Sequence, residues 1–215
     1  MPVVKIFKRE IGFCKRKMQP CATNKFLFAD AVVIILAFLS LKLFRPDYVV
    51  IIIYFLTTPY LILTERKSLI YSLTIASVVS LTWMLIARNE YGYNSNFLII
   101  LDINLFPLFA WALGLFALYI IYSHCEPILK EQGFMKKFLL FIAIYWLMLI
   151  AIEAIGYRFF NIHNLSAAGY QGLPIFGCIH APRWMQVAYF SMGPVFFVTC
   201  RVLSFWDSKQ FLNNL

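Results

Sequence analysis

The chain has 215 residues, of which 62% are hydrophobic and 13% charged, with a mean hydropathy of +0.77 and a formal net charge of +9. No single soluble core of that length buries so much apolar surface, and the charged share is about half that of an ordinary globular protein. The same figures exclude disordered, collagen-like and disulfide-scaffold proteins, and the apolar residues fall in blocks long enough to cross a hydrocarbon core of about 30 Å, as expected of an integral membrane protein.

Residues 1–25 form a basic lead. Within it Val4, Phe7, Ile11 and Cys14 fall at helical spacing between Val3 and Met18, so the lead reads either as an interfacial helix or as a positive tail that only sets orientation. The first apolar block, Phe26 to Leu43, is too long for the core of a secretory signal and lacks a small-residue cleavage site, so it is expected to be an uncleaved signal anchor. Phe44-Arg45-Pro46-Asp47 turns the chain into a second span, Tyr48 to Leu63. Thr64-Glu65-Arg66-Lys67 marks an interface before the third, Ser68 to Ala87. Leu98 to Tyr122, Phe138 to Tyr157 and Met185 to Leu203 are the fourth, fifth and sixth, and residues 204–215 form a short tail. The expected fold is an all-α, polytopic six-span bundle over residues 26–203, with a long, partly apolar loop before the last span. Barrel strands are excluded, because the runs are continuous rather than alternating.

Basic residues are retained on the cytoplasmic side. With six spans, Lys42, Arg45, Arg88, Arg158 and Arg183 fall on one side and the other 14 of the 19 Lys and Arg on the side of the termini. Both termini are therefore expected in the cytoplasm, in a plasma (inner) membrane or, in a eukaryote, the ER. Topology and anionic lipid account for the positive charge, so nucleic acid is not an expected partner. Cys14, Cys21, Cys125 and Cys200 lie on the inner side and only Cys178 on the outer, so no disulfide is expected within the chain. Asn164-Leu165-Ser166 has the spacing of a glycosylation acceptor.

Small residues four apart mark helix contacts in lipid: Ser72, Ala76 and Ser80 on the third span, and Ala110, Gly114 and nearby Ala117 on the fourth. Pro59, Pro107 and Gly193-Pro194 fall within the expected spans, where proline bends a helix.

Most of the unusual ionisable chemistry converges on the outer side. Asp102 is expected about five residues inside the fourth span, roughly 7 Å deep, and Glu153 about four residues below the end of the fifth. A carboxyl at such depth is neutral, paired or facing a wet cavity. The connection that follows carries Arg158, His163, Cys178, His180 and Arg183, and its stretch GYQGLPIFGCIHAPRW is too apolar for a solvated loop. It is expected to roof a cavity between the fourth, fifth and sixth spans, as a re-entrant turn or a flat cap. Glu153, Asp102, His163 and His180 are the candidate acid/base residues; Arg158, Arg183, Tyr157, Tyr170 and Trp184 are the candidate binding residues. Ion pairing of the two acids with neighbouring arginines explains the same composition without chemistry. On the inner side, His124, Cys125 and Glu126 read as a helix end stopped by Pro127. No paired CxxC or HExxH spacing supports a metal, and no GxSxG elbow or phosphate-cradling loop is present, so the cofactor stays undefined.

Three functions fit: an enzyme acting by acid/base chemistry on a lipid or isoprenoid, a non-catalytic subunit holding partner chains, lipids or pigments, and a small proton-coupled carrier. Membrane lipids, a lipid-like ligand and other membrane subunits are the corresponding partners.

Overall fold

The computed structural model describes residues 24–129, 131–173 and 177–213; the basic lead up to residue 23 lies outside them. Among the described residues six α-helices run in chain order: α1 Asn24–Leu43, α2 Pro46–Leu63, α3 Ser68–Ala87, α4 Leu105–Cys125, α5 Phe134–Arg158 and α6 Arg183–Asn213. All six are long and apolar enough to cross a membrane, and the chain is a multi-pass helix bundle. An even number of crossings leaves α1 and α6 to begin and end on one face, called terminal here; the α1–α2, α3–α4 and α5–α6 connections lie on the opposite, distal face.

Helix α4 is central. It makes its most extensive contact with α3, packs also on α2, and receives α1 and α5. The α3 stripe of Ser72, Ala76 and Ser80 is buried as its spacing predicts, and the Ser80 hydroxyl donates to the Leu108 carbonyl of α4 at 2.5 Å. On the terminal half, α4, α5 and α6 meet in an aromatic knot: Tyr122, Phe141, Phe196 and Phe197 are fully buried, with the Phe141 and Phe197 rings 4.7 Å apart. Phe28 and Leu39 of α1 and Phe55 and Leu56 of α2 are exposed, as lipid-facing side chains would be.

The prolines act differently from one another. Pro107 lies in the first turn of α4, where its missing N–H has no intrahelical partner to lose, so the expected kink there is absent. Pro194 is interior to α6 and cannot donate to the Phe190 carbonyl four residues earlier. The indole of Trp146 supplies that bond from α5 at 3.2 Å, and the Tyr145 hydroxyl donates to the Tyr189 carbonyl beside it. Gly193 admits the Tyr145 ring, since a Cβ there would fall inside it. Gly193→Ala should therefore destabilise the protein by about 1–3 kcal/mol through overpacking, read as a lower melting temperature in detergent, whereas Gly114→Ala, with nothing within 4 Å of the added carbon, should not.

The fourth span begins later than its hydropathy suggests. Residues 99–104 form a two-stranded antiparallel hairpin, β1 Ile99–Ile100 paired with β2 Ile103–Asn104, turned by Leu101 and Asp102 at φ of 51° and 60°. Two positive φ values in a row are the geometry of the tight turn that joins twisted strands. Asn104 then caps α4 by accepting from the Phe106 N–H at 3.0 Å. The cap and Pro107 mark this start in the sequence, but the apolar run through Ile99–Ile100 masks it.

Candidate functional site

A cavity of about 340 Å³ lies between α1, α2, α4 and α5, within the size range of small-molecule sites. It differs from the expected position: α6 contributes Tyr189 alone, and the void faces α1 and α2 instead. Two features open the space. Ala110, Gly114 and Ala117, expected as a packing stripe, line the cavity, so their missing side chains leave room rather than close a helix contact. At the distal end, α1 is held to the end of α5 by the stacked rings of Phe38 and Phe160, 6.3 Å apart, and by Lys42 Nζ donating to the Phe159 carbonyl at 2.8 Å.

The roof is the α5–α6 connection, as its composition predicts, with Ile179 and His180 in the lining. It is tied down by a backbone and amide lattice. Asn94 N–H donates to the His163 carbonyl at 3.1 Å, and Asn164 uses both ends of its amide, accepting from Gly92 N–H at 3.1 Å and donating to the Glu90 carbonyl at 2.7 Å. The turn is tight at Gly172, where a Cβ would meet the Cys178 carbonyl at 2.9 Å. Cys178 itself is buried, and burial together with the nearby Glu153 carboxyl pushes its thiol up from the ordinary value, which leaves it a poor nucleophile.

Glu153 lines the distal part of the cavity on α5, and no hydrogen bond or ion pair reaches it among the described residues. Next to it Tyr157 is sandwiched between two imidazoles, with His163 at 4.1 Å and His180 at 5.3 Å between ring centroids. His180 Nδ1 faces the Tyr170 carbonyl and Nε2 the Gly177 carbonyl, each at 3.0 Å. Both ring nitrogens of His180 are thus occupied by carbonyls, and the residue lies within electrostatic reach of Glu153. His163 Nε2 faces the Tyr157 carbonyl at 3.1 Å, and the residue is outside the cavity lining.

The other candidates are not brought to this place. Asp102 is in the hairpin turn, exposed and without a hydrogen bond or ion pair among the described residues, rather than submerged in a span. Its expected depth rested on a helix starting at Leu98, and the hairpin removes that premise. Arg158 is exposed at the end of α5, and Arg183 lines a shallow groove between α5 and α6 with Trp146 and Phe190. Trp184 packs on Trp83 at 5.9 Å, and Tyr170 contributes its carbonyl.

A second polar group closes the terminal end and was not legible in the sequence as a unit. Asp30, on the cavity floor, is 4% exposed and accepts from Arg66 at 2.7 Å and from the Tyr60 hydroxyl at 2.8 Å, while His124 Nε2 lies 3.0 Å from its other oxygen. Arg66 reaches inward because α2 ends in a Schellman turn. Glu65 takes φ of 57°, Arg66 N–H donates to the Leu61 carbonyl at 2.8 Å, and Glu65 N–H donates to that of Ile62 at 3.1 Å. His124 and Glu126 are therefore more than a helix end, because Glu126 is paired with Arg201 of α6. Among the described residues no group of three or more His, Cys, Asp and Glu is arranged to hold a metal.

Comparison with protein-family models, with curated proteins and with solved structures finds no match to this chain.

Proposed function

We propose that the protein is a membrane-embedded enzyme that takes a lipid- or isoprenoid-like chain into the cavity and acts on it by acid/base chemistry through Glu153. One observation carries this reading: a single carboxyl without a partner among the described residues lines an otherwise largely apolar cavity, whereas the buried acids Asp30 and Asp47 are fully engaged. A carboxyl that no neighbour holds is free to give up or take a proton from a molecule beside it, the act of a general acid or base. The asymmetry of Lys and Arg supports an extracytoplasmic position for this end of the cavity.

A carrier is the second reading, favoured by Asp30 at the opposite end of the same cavity. It is the weaker one, since Asp30 is committed to Arg66, Tyr60 and His124 and a coupling acid must release its partners. A non-catalytic subunit would co-purify with other chains and hold nothing in the cavity.

Gly114→Leu provides the test, because its side chain would project into open space in the wall. Native mass spectrometry of the detergent-extracted protein should find a bound chain-like molecule in the wild type and lose it in the variant, with the melting temperature unchanged. An empty wild-type protein, or equal occupancy in both, would overturn the proposal.

A further inference from the structure

Four aromatic side chains beside the cavity form a hydrogen-bond chain whose direction is set by its donors. Trp83 and Trp111 both point their indole N–H at the Tyr91 hydroxyl, at 2.8 and 3.1 Å, and Tyr91 in turn lies 2.9 Å from the Tyr189 hydroxyl. An indole N–H only donates. With two donors on its oxygen, Tyr91 must give its own hydrogen to Tyr189. The Tyr189 oxygen is then an acceptor in that bond, and its hydrogen has no acceptor among the described residues. Tyr189 is 5% exposed and lines the cavity, as do Tyr91 and Glu153. Its ring is fixed by Trp111 at 5.1 Å and Trp83 at 5.6 Å. A buried hydroxyl hydrogen left without an acceptor is costly, and a chain of donors feeding it polarises it further.

We propose that Tyr189 is a ligand-binding residue whose hydroxyl donates to an oxygen atom of the bound molecule, so that the cavity selects a chain bearing an alcohol, ether or carbonyl oxygen over a plain hydrocarbon. This rests on the reading of the cavity as a site for an apolar chain and adds the chemical class of that chain. Trp83, Trp111 and Tyr91 act through Tyr189 as positioning residues.

Trp111 lies in the wall, so contact quenching by bromine reports occupancy. The full chain in detergent would be titrated with 1-bromododecan-2-ol, its methyl ether and 1-bromododecane. The alcohol and the ether should both bind about five- to tenfold more tightly than the hydrocarbon, the worth of one neutral hydrogen bond. The ether separates donation by the protein from donation by the ligand, and this arm uses the wild-type protein alone. In Tyr189→Phe the preference, read as the ratio of ether to hydrocarbon affinity within the variant, should vanish. Equal wild-type affinities for all three probes, or a preference that survives Tyr189→Phe, would overturn the assignment and leave the cavity reading standing. Binding of none of them would overturn both.

Discussion

Asp30→Ala is expected to lower stability by about 3–5 kcal/mol, the usual result of leaving a buried charge without its partner. Arg66 is the reason. Its side chain is 2% exposed and donates to Asp30 at 2.7 Å, and among the described residues its Nε and second terminal nitrogen have no hydrogen-bond partner. The guanidinium lies 5.1 Å from the centre of the Phe26 ring, a contact that does not neutralise it. The cluster joins α1 to the α2–α3 turn and to α4, so its loss should be felt across the terminal half. Asp30→Asn should fall between, because the amide oxygen still accepts while the charge is gone. Removing both members, Asp30→Ala with Arg66→Met, should recover most of the loss, since a buried ion pair as a whole is worth little against apolar packing. Thermal unfolding in detergent reads all three. A cost for Asp30→Ala no larger than that of the exposed Lys136→Ala would show that the cluster is not what holds α1.

Glu153→Gln is expected to do the reverse: abolish turnover, by a factor of about 10²–10⁴ or more, while leaving the melting temperature unchanged or raised. The substitution keeps size and shape, and among the described residues Glu153 makes no hydrogen bond or ion pair that the amide would lose. A carboxyl that contributes nothing to the fold yet sits in an apolar wall is the kind of group kept for function at the expense of stability. Lipid extracts of cells expressing wild type and variant, compared by mass spectrometry, should differ in one product–precursor pair. Identical extracts together with full occupancy of the cavity would remove Glu153 from the chemistry and favour a binding subunit.

These two acids divide what is legible in a one-dimensional reading. Both look alike there: a lone carboxyl a few residues inside an apolar block. Asp30 proves structural because Arg66 and His124, 36 and 94 residues away, come to it in space. Glu153 keeps no such partner among the described residues. Asp102 shows the converse error, since hydropathy cannot distinguish an apolar hairpin from the first turn of a span. Asp47, read only as part of a turn, is fully buried, held by Arg45 and capped by the Leu98 N–H at 3.0 Å, so it anchors the segment leading to that hairpin.

Legible along the chain are the number of crossings, the nearly correct ends of four of the six helices, the buried stripe on α3 and the roofing role of the apolar connection; α4 begins seven residues later than expected and α6 runs ten residues further, through most of the stretch read as a tail. Each legible feature depends on local hydropathy or spacing, which the thickness of a bilayer and the pitch of a helix convert directly into structure. Where the cavity lies, which acid has no partner among the described residues and which way the Trp83–Trp111–Tyr91–Tyr189 chain points emerge from the packed bundle alone. Those depend on which helix faces meet, and in lipid that choice is made by close packing and a few hydrogen bonds between residues far apart in the chain rather than by any periodic signal along it.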